Sequence, residues 1–381
     1  MPDPSHRVPL WLGVAGVIAL GGVLALLIWR RDLGWVEEVE PPEDAVEKSF
    51  NGSSEGLRQT EVVPTLDTPL SEGKSAVWCS SFQLAWNELN QEVFKGSVRL
   101  RNAQDVADRL NRAKQTKADL APGSYYAAAG LVRDGIVERI QREMAEKFPD
   151  GPRPEFNPRP EMALGYAYLK AGVRYKHAFF NNTERFLFTD SSGKETAVRS
   201  FGMSDKEKFK DGAFDSFRGQ IAVLWREGDE FAVDLSKEST PNQIVLARIR
   251  RGATLAEMVA AFRARVQQGR DHSHPGEEDT LLVPIMHWRV EHHFRELEGP
   301  DKRLVHPTLP DMYLGTALQI IEFKMDRRGA EVASQAKIGY DNGGPKRYHF
   351  DRPFLIYMKK RDAEHPFFVM WVDNAELLFR W

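Results

Sequence analysis

The stretch Leu314–Ala336 reads LGTALQIIEFKMDRRGAEVASQA and changes character halfway along its length. Its first half, LGTALQIIEFKM, is an extended apolar run of the kind that forms a buried strand. A charged turn at Asp326 follows, and then Gly329 and a series of small residues. A second stretch, Phe350–Asn374 (FDRPFLIYMKKRDAEHPFFVMWVDN), contains two more extended apolar runs. Between them the segment 340–345 (YDNGGP) is rich in turn residues, which predicts an exposed, protease-accessible loop between buried strands.

Upstream, helical periodicity comes first and strand-like runs come later. Apolar residues recur at helical spacings over 77–89, 103–120 and 136–148. Short apolar runs such as RFLFTD, QIAVLW and EFAVDL then alternate with turn-rich pieces. The last two runs are joined through Gly228-Asp229, which predicts an antiparallel pair. This order of elements predicts an α+β domain over residues 75–381, with N-terminal helices and several sheets.

The two C-terminal stretches together resemble the serpin family, the metastable inhibitors of serine and cysteine proteases. In that family a strand runs into an acidic-basic turn and a hinge of small residues, and a C-terminal hairpin follows whose strands open here at Pro353 and Pro366. The resemblance implies a hinge made of Gly329, Ala330, Glu331, Val332, Ala333 and Ser334. It implies a reactive-centre loop whose candidate scissile region is Tyr340, Asp341, Asn342, Gly343 and Gly344.

An upstream segment is also similar to the family. Serpins carry the pattern Gly-x-Trp-x-x-x-Phe followed by Thr and Phe, and this chain has Tyr in the role of the Trp, one residue further from the Gly. The matching residues are Gly172, Tyr175, Phe179, Thr183 and Phe188. The resemblance therefore covers about residues 164–374 and implies a serpin-like multi-sheet domain with an exposed reactive-centre loop.

The function implied by this resemblance is mechanical rather than catalytic, so we expect no enzyme. A target serine or cysteine protease cleaves the loop, and the segment after Gly329 inserts as an additional strand into the large sheet. Insertion pairs a row of free backbone groups, and relief of stored metastability drives the step. The resemblance implies no catalytic residue, no metal and no cofactor, with the target protease as the partner.

Several residues depart from the family's pattern and leave a second hypothesis open. Arg327 stands where inhibitors usually have an acid, and Val332 and Gln335 are larger than the usual small residues. Lys337 would bury a charge if it pointed inward. Gln319 stands where the strand usually carries a His. The alternative is therefore a serpin-fold module that does not inhibit and that has a binding or structural role.

The N-terminal region predicts a membrane anchor. Pro9–Trp29 is a run of twenty-one residues without a charge. A helix rising about 1.5 Å per residue crosses the roughly 30 Å hydrocarbon core in twenty residues, so we expect a transmembrane helix at 9–29 after a flank at 1–8. The protein would be a single-pass membrane protein that contacts the lipid bilayer through residues 9–29. The positive charges on the two sides of this run differ by about one, so the sequence does not decide on which side of the membrane the folded domain lies. The acidic stretch 30–74, with its Pro and Gly residues, is predicted to be a linker.

Composition excludes other classes of function. Lys plus Arg number 52 against 55 Asp plus Glu, a net charge of -3, so no general field would recruit nucleic acid and we expect no nucleic-acid partner. The single cysteine, Cys79, excludes an intrachain disulfide and is expected to be a buried thiol. The sequence holds no Walker loop, no GxSxG and no HExxH.

A cluster of imidazoles supplies a third hypothesis, a metal-dependent enzyme. The alternative, which we prefer, puts the first two histidines in a solvated loop and the other three at a strand end and a helix start. The cluster consists of His272, His274, His287, His292 and His293.

Overall fold

A computed structural model of the chain describes residues 48–203, 213–269, 273–309, 311–328 and 345–381. Its α-helices share the amphipathic patterning expected of surface helices, except the first, which is almost wholly buried. They are α1 (Ser80–Glu88), α2 (Gln104–Arg112), α3 (Ile136–Lys147), α4 (Ala213–Gly219) and α5 (Leu255–Gln268).

Strands make up most of the remaining regular secondary structure. Those before α5 are β1 (Phe50–Ser53), β2 (Thr60–Val62), β3 (Ser75–Cys79), β4 (Tyr125–Leu131), β5 (Met162–Ala171), β6 (Phe180–Asn181), β7 (Phe186–Thr189), β8 (Glu195–Val198), β9 (Ser200–Met203), β10 (Ala222–Glu227), β11 (Glu230–Asp234) and β12 (Asn242–Arg248). Those after it are β13 (Thr280–Pro284), β14 (Met286–His293), β15 (Tyr313–Met325), β16 (Arg347–His349), β17 (Phe354–Lys360) and β18 (Phe368–Val372).

The strands form three sheets and a separate hairpin within the described chain. The first sheet has the order β1-β14-β15-β5-β4, the second β10-β11-β12-β17-β18-β3-β2 and the third β16-β13-β9-β6, while β7 pairs with β8. The predicted antiparallel pair around Gly228 is β10–β11, and the predicted C-terminal hairpin is β17–β18. The expected α+β architecture with several sheets is therefore present.

The two large sheets pack face to face, and their aromatic residues meet at the centre. Phe323 of β15 stacks on Phe368 of β18 with ring centroids 4.8 Å apart, and Trp288 of β14 lies against both. Helix α1 lies in the same core, with Phe82 and Trp86 buried. Aromatic pairs of this kind add to the free energy of burial, so this cluster is the main link between the sheets.

The other face of each large sheet is covered by a helix. Helix α5 packs on the seven-stranded sheet, where Phe262 contacts Tyr357 at a centroid distance of 5.2 Å. Helix α3 buries Ile140 and Met144 against β4, β5 and β15 of the five-stranded sheet. Both sheets are consequently buried on two sides, which explains why their strands are apolar on both faces.

Three boundaries predicted from the sequence are wrong. The helix expected over 103–120 ends at Arg112, because Ala113 takes an extended backbone conformation, and only the 3-10 turn Lys117–Asp119 follows. The helix expected over 77–89 begins only at Ser80, because Ser75–Cys79 pairs with β18 and β2. Residues 48–74, the described part of the predicted linker at 30–74, belong to the folded domain. There β1 pairs in parallel with β14, and β2 pairs in parallel with β3. Helical spacing and composition miss these strands because short strands of this kind are recognisable only from the strands they pair with.

Among the residues that the structure describes, no helix has the length and apolar character needed to cross a membrane. The run at 9–29 and the flank at 1–8 lie outside those residues.

Candidate functional site

The feature of most functional interest is the pairing of β5 with β15 in the middle of the five-stranded sheet. The two strands are parallel and in register from Tyr313 opposite Met162 to Phe323 opposite Ala171. We call this ladder the seam. Parallel pairing is slightly weaker per residue than antiparallel pairing, so the seam and the edge pair β1–β14 are the weaker ladders of this sheet.

The lower end of the seam contains a bulge at Gly315. The register shifts between Leu314 and Thr316, and a Cβ on Gly315 would clash with Sδ of Met162. A side chain at this position would force Met162 to move. Glycine is therefore required by the close approach of the two strands.

The inner face of the seam is lined by small side chains with one buried amide among them. Ala163, Ala167 and Ala317 are fully buried there. Between them Gln319 donates from Nε2 to Oγ of Ser81 at 2.9 Å and to the carbonyl oxygen of Cys79 at 3.2 Å. The amide thus connects β15 to the start of α1 below the sheet.

Cys79 lies immediately beneath this amide. Its Sγ accepts from the backbone N–H of Ser81 and caps α1. Burial raises the pKa of the Cys79 thiol to about 12, so the expected buried thiol is confirmed and the group is a poor nucleophile.

The outer face of the seam is covered by aromatic contacts. The chain that follows α3 lays Phe148 edge-on against Tyr168 at 4.9 Å and Phe156 edge-on against Tyr166 at 6.0 Å. The Tyr166 hydroxyl is buried without a hydrogen-bond partner among the described residues. Any strand entering the seam would have to displace this cover.

The upper end of β15 leads directly to the predicted hinge. After Met325, Asp326 accepts a hydrogen bond from the backbone N–H of Arg328, and the carbonyl oxygen of Arg327 accepts one from Phe179. Tyr175 packs edge-on against Phe179 at 4.8 Å. Burial raises the pKa of Tyr175, with nearby Asp326 adding to the effect. Tyr175 and Phe179, two of the residues that carry the sequence resemblance, therefore support the start of the hinge.

The chain re-enters the fold in a different sheet. Lys346 donates its backbone N–H to Oδ1 of Asp279 at 2.7 Å, and β16 then pairs in parallel with β13. The segment between Arg328 and Pro345 thus starts at the five-stranded sheet and ends at the four-stranded one. The predicted hinge at 329–334 and the candidate scissile residues at 340–344 lie outside the described residues.

The histidines do not converge. Nδ1 of His274 contacts the carbonyl oxygen of Ile221, His292 bonds to Ser54, and His293 bonds to Glu298, each at 2.8 Å. In the part of the chain that the structure covers, no group of three or more His, Cys, Asp or Glu side chains could hold a metal, and His272 lies outside that part.

The expected helix start near these histidines is wrong. His287, His292 and His293 all belong to β14, which continues to pair with β15 as far as Leu318.

Three polar side chains at the seam were not predicted. Tyr168 of β5 donates to Oε2 of Glu322 on β15 at 3.3 Å, and Lys48 lies 3.2 Å from Oε1 of the same carboxylate. These residues come from three distant parts of the chain. No local pattern in the sequence could have identified them.

The topology of the seam permits a specific rearrangement. A segment that follows β15 and turns back runs antiparallel to β15, and therefore also antiparallel to β5. Entry of such a segment would replace one parallel ladder by two antiparallel ladders. Such an exchange would add backbone hydrogen bonds, and antiparallel pairing is slightly more stable per residue than parallel pairing.

Comparison with known proteins finds similarity in fold but none in sequence. No protein-family model matches the chain, and no curated protein matches it by sequence. Among solved structures, the mouse protein-Z dependent protease inhibitor aligns with a TM-score of 0.50 and 11% identity, over 79% of this chain and 91% of that chain.

Two further structures align with lower scores. Human glycosylated kallistatin gives a TM-score of 0.49 at 10% identity, over 80% of this chain and 92% of that chain. Serpin48 of the insect Tenebrio molitor gives 0.45 at 10% identity, over 79% of this chain and 92% of that chain. The chain has a serpin-like fold, as the resemblance in its sequence implied.

Proposed function

We propose that this chain is a membrane-tethered protease inhibitor that acts by cleavage of its exposed loop and insertion of a strand. The observation that carries the proposal is the seam. Strands β5 and β15 are parallel neighbours, and β15 runs without interruption into the hinge sequence. The mouse structure of similar fold belongs to a protease inhibitor, which adds support.

In this mechanism the target protease carries out the bond cleavage, and the chain contributes the conformational change that follows it. The nucleophile of the protease attacks a loop carbonyl in the candidate scissile region 340–344, an acyl bond forms, and the new amino terminus leaves. The freed hinge then adds to the open seam as a β-strand, the mode of peptide addition that serpins use. No group of this chain takes part as acid, base or nucleophile.

The gain in ladder pairing would oppose the cost of opening the sheet. Opening must displace the aromatic cover formed by Phe148 and Phe156 and part the small residues of the inner face. Ala163, Ala167 and Ala317 leave space for an incoming strand that carries small side chains. The larger hinge residues Val332 and Gln335 would slow this step without blocking the topology.

The non-inhibitory alternative has no specific support in the described geometry. A module that does not inhibit would have no use for the parallel pairing of β5 with β15 next to a hinge sequence of small residues. The metal-dependent alternative is weaker still, because His274, His292 and His293 each bind a different partner.

Membrane attachment is the second part of the proposal, and the sequence of 9–29 supports it. The described chain begins at Lys48, which lies beside Glu322 at the upper end of the sheet, four residues before Asp326. The eighteen residues 30–47 span at most about 65 Å in any conformation. The anchor would therefore lie no more than about 65 Å from the hinge end of the sheet, which keeps the loop within reach of a target protease held at the same membrane surface.

The test is the thermal unfolding of the full chain in detergent, before and after a proteolytic nick confined to 337–347. Insertion should add several kcal/mol of new strand pairing, and each kcal/mol raises Tm by roughly 2–4 °C. We therefore expect Tm to rise by more than about 10 °C. The intact chain, incubated with its target serine or cysteine protease, should form a complex that survives denaturation, and the nicked chain should form none. An unchanged Tm would refute strand insertion.

A further inference from the structure

A short polar chain crosses the seam on its outer face near the hinge. Oη of Tyr168, on β5, donates to Oε2 of Glu322, on β15, at 3.3 Å. Burial raises the pKa of Tyr168, with Glu322 adding to the effect, so the hydroxyl stays protonated and donates. The two residues lie on opposite sides of the ladder, and any opening of the seam must separate them.

The second oxygen of this carboxylate is also engaged. Lys48 Nζ lies 3.2 Å from Oε1 of Glu322, and the Glu322 side chain is 18% exposed. In register with Glu322 lie two further cationic residues, Arg289 on β14 and Lys170 on β5. A carboxylate held at both oxygens has little freedom to turn away from Tyr168.

Lys48 is itself held in place by the N-terminal segment. Ser49 donates its backbone N–H to the carbonyl oxygen of His287 at 2.7 Å, and its Oγ bonds to the carbonyl oxygens of His287 and Leu377 at 3.0 Å. Directly after it, β1 pairs in parallel with β14 as the edge strand of the sheet. The segment that carries Lys48 is therefore an integral strand of the sheet that must open.

We infer that Lys48, Glu322 and Tyr168 form a latch that keeps the seam closed, with Tyr168 and Glu322 as the bond across it and Lys48 as the residue that positions the carboxylate. The latch lies at the hinge end, where an inserting strand would first enter. It couples the N-terminal segment to the opening of the sheet, and so a pull on that segment would weaken the bond. The inference rests on the proposed function only for the step after opening, namely strand insertion.

The thiol of Cys79 measures opening directly. It is buried beneath Gln319 on the inner face, and its raised pKa makes it unreactive while the sheet is closed. The rate at which the full chain in detergent reacts with an aromatic disulfide reagent therefore reports the population of open molecules. Tyr168→Phe removes the latch hydroxyl and keeps the ring that packs on Phe148.

Tyr126→Phe is the matched control. Tyr126 donates to Glu143 at 2.8 Å on the same face of the sheet, but that bond joins β4 to α3 and does not cross the seam. We expect Cys79 in Tyr168→Phe to react about tenfold faster than in the unaltered chain, as for the loss of a hydrogen bond to a charged group. Tyr126→Phe should react within about twofold of the unaltered chain. Equal acceleration in both variants would overturn the latch.

The role of Lys48 has its own test. Lys48→Met should accelerate the reaction of Cys79 by less than Tyr168→Phe does, because Glu322 keeps its bond to Tyr168 but is less well held. If Lys48 acts through that bond, Lys48→Met should add nothing in the Tyr168→Phe background. Fully additive effects of the two substitutions would overturn the positioning role of Lys48.

A synthetic peptide with the sequence of residues 329–341 separates the latch from the proposed function. Faster uptake of this peptide by Tyr168→Phe than by Tyr126→Phe would support both. Faster reaction of Cys79 in Tyr168→Phe without any uptake of peptide would support the latch and refute strand insertion. Uptake at equal rates by both variants, with equal reaction of Cys79, would refute the latch and leave strand insertion standing.

Discussion

Gln319 Nε2 donates to Oγ of Ser81 across a distance of 2.9 Å, and the bond joins residues 238 positions apart. The amide is fully buried between the seam and the first turn of α1, and it also reaches the carbonyl oxygen of Cys79. The bond ties β15 to the core below it. It is the inner counterpart of the contact that Tyr168 makes on the outer face.

Replacing this amide should loosen the seam. Gln319→Leu keeps the volume but leaves the carbonyl oxygen of Cys79 without this donor, so we expect the free energy of unfolding in urea to fall by about 1–2 kcal/mol. The control is Gln83→Leu, another buried glutamine, which bonds to Asn87 and Leu110 away from the seam. Both variants should lose stability, but only Gln319→Leu should speed the reaction of Cys79. Equal acceleration would contradict a role of Gln319 at the seam.

The bulge of β15 should not accept a side chain. Gly315→Ala would place a Cβ against Met162, and we expect a loss of about 1–3 kcal/mol in the free energy of unfolding. Met162→Ala removes Sδ and Cγ, the two atoms nearest to that Cβ, so Gly315→Ala should cost less stability in the Met162→Ala background than in the unaltered chain. Chemical denaturation of the three variants checks this. If the double variant loses as much stability as the two single variants together, then the backbone conformation at Gly315, and not the contact with Met162, requires glycine.

The hinge should fail to insert when it carries a charge on its inward face. Neighbouring residues of a strand point to opposite faces, so Ala333→Arg and Ser334→Arg test both orientations. One of the two should abolish the rise in Tm after a nick in 337–347, because a buried arginine without a partner is strongly unfavourable. The other should retain most of it. A full rise in both variants would argue against insertion of this segment.

Acid should weaken the attachment of the N-terminal strand. Burial, with neighbouring His293 as the second cause, lowers the pKa of His292 to about 4, from an ordinary value of 6.5. Between these values the unfolded chain binds more protons than the folded one, so stability should fall as pH drops from about 6.5 towards 4. Protonation also leaves Nδ1 of His292, which lies 2.8 Å from Oγ of Ser54, able only to donate to that hydroxyl.

Urea unfolding at pH 7 and at pH 4.5 measures this effect. The groups around His292 are His293, Glu298 and Arg295, and they remain in His292→Gln. We expect this variant to lose less stability on acidification than the unaltered chain, by about 2 kcal/mol. An equal loss in both chains would show that other groups, such as the His293–Glu298 pair, account for the acid sensitivity.

Local patterns predicted much of the fold. The spacing of apolar residues identified α3 to within one residue, and the Gly228-Asp229 turn identified the pairing of β10 with β11. These elements depend on neighbours in the sequence. The prediction failed for β1 and β2, short strands that are held by pairing at the edges of β14 and β3 and not by their own composition.

The sequence by itself therefore determined the class of the domain, the order of its elements and the resemblance that points to a hinge and loop. The tertiary structure decided that β5 and β15 lie side by side in parallel, that Gln319 closes the seam from below, and that Lys48 and Tyr168 hold Glu322 from opposite sides. The reason is physical. Helices and hairpins are specified by contacts within a few residues, whereas the seam is specified by packing between segments more than a hundred residues apart.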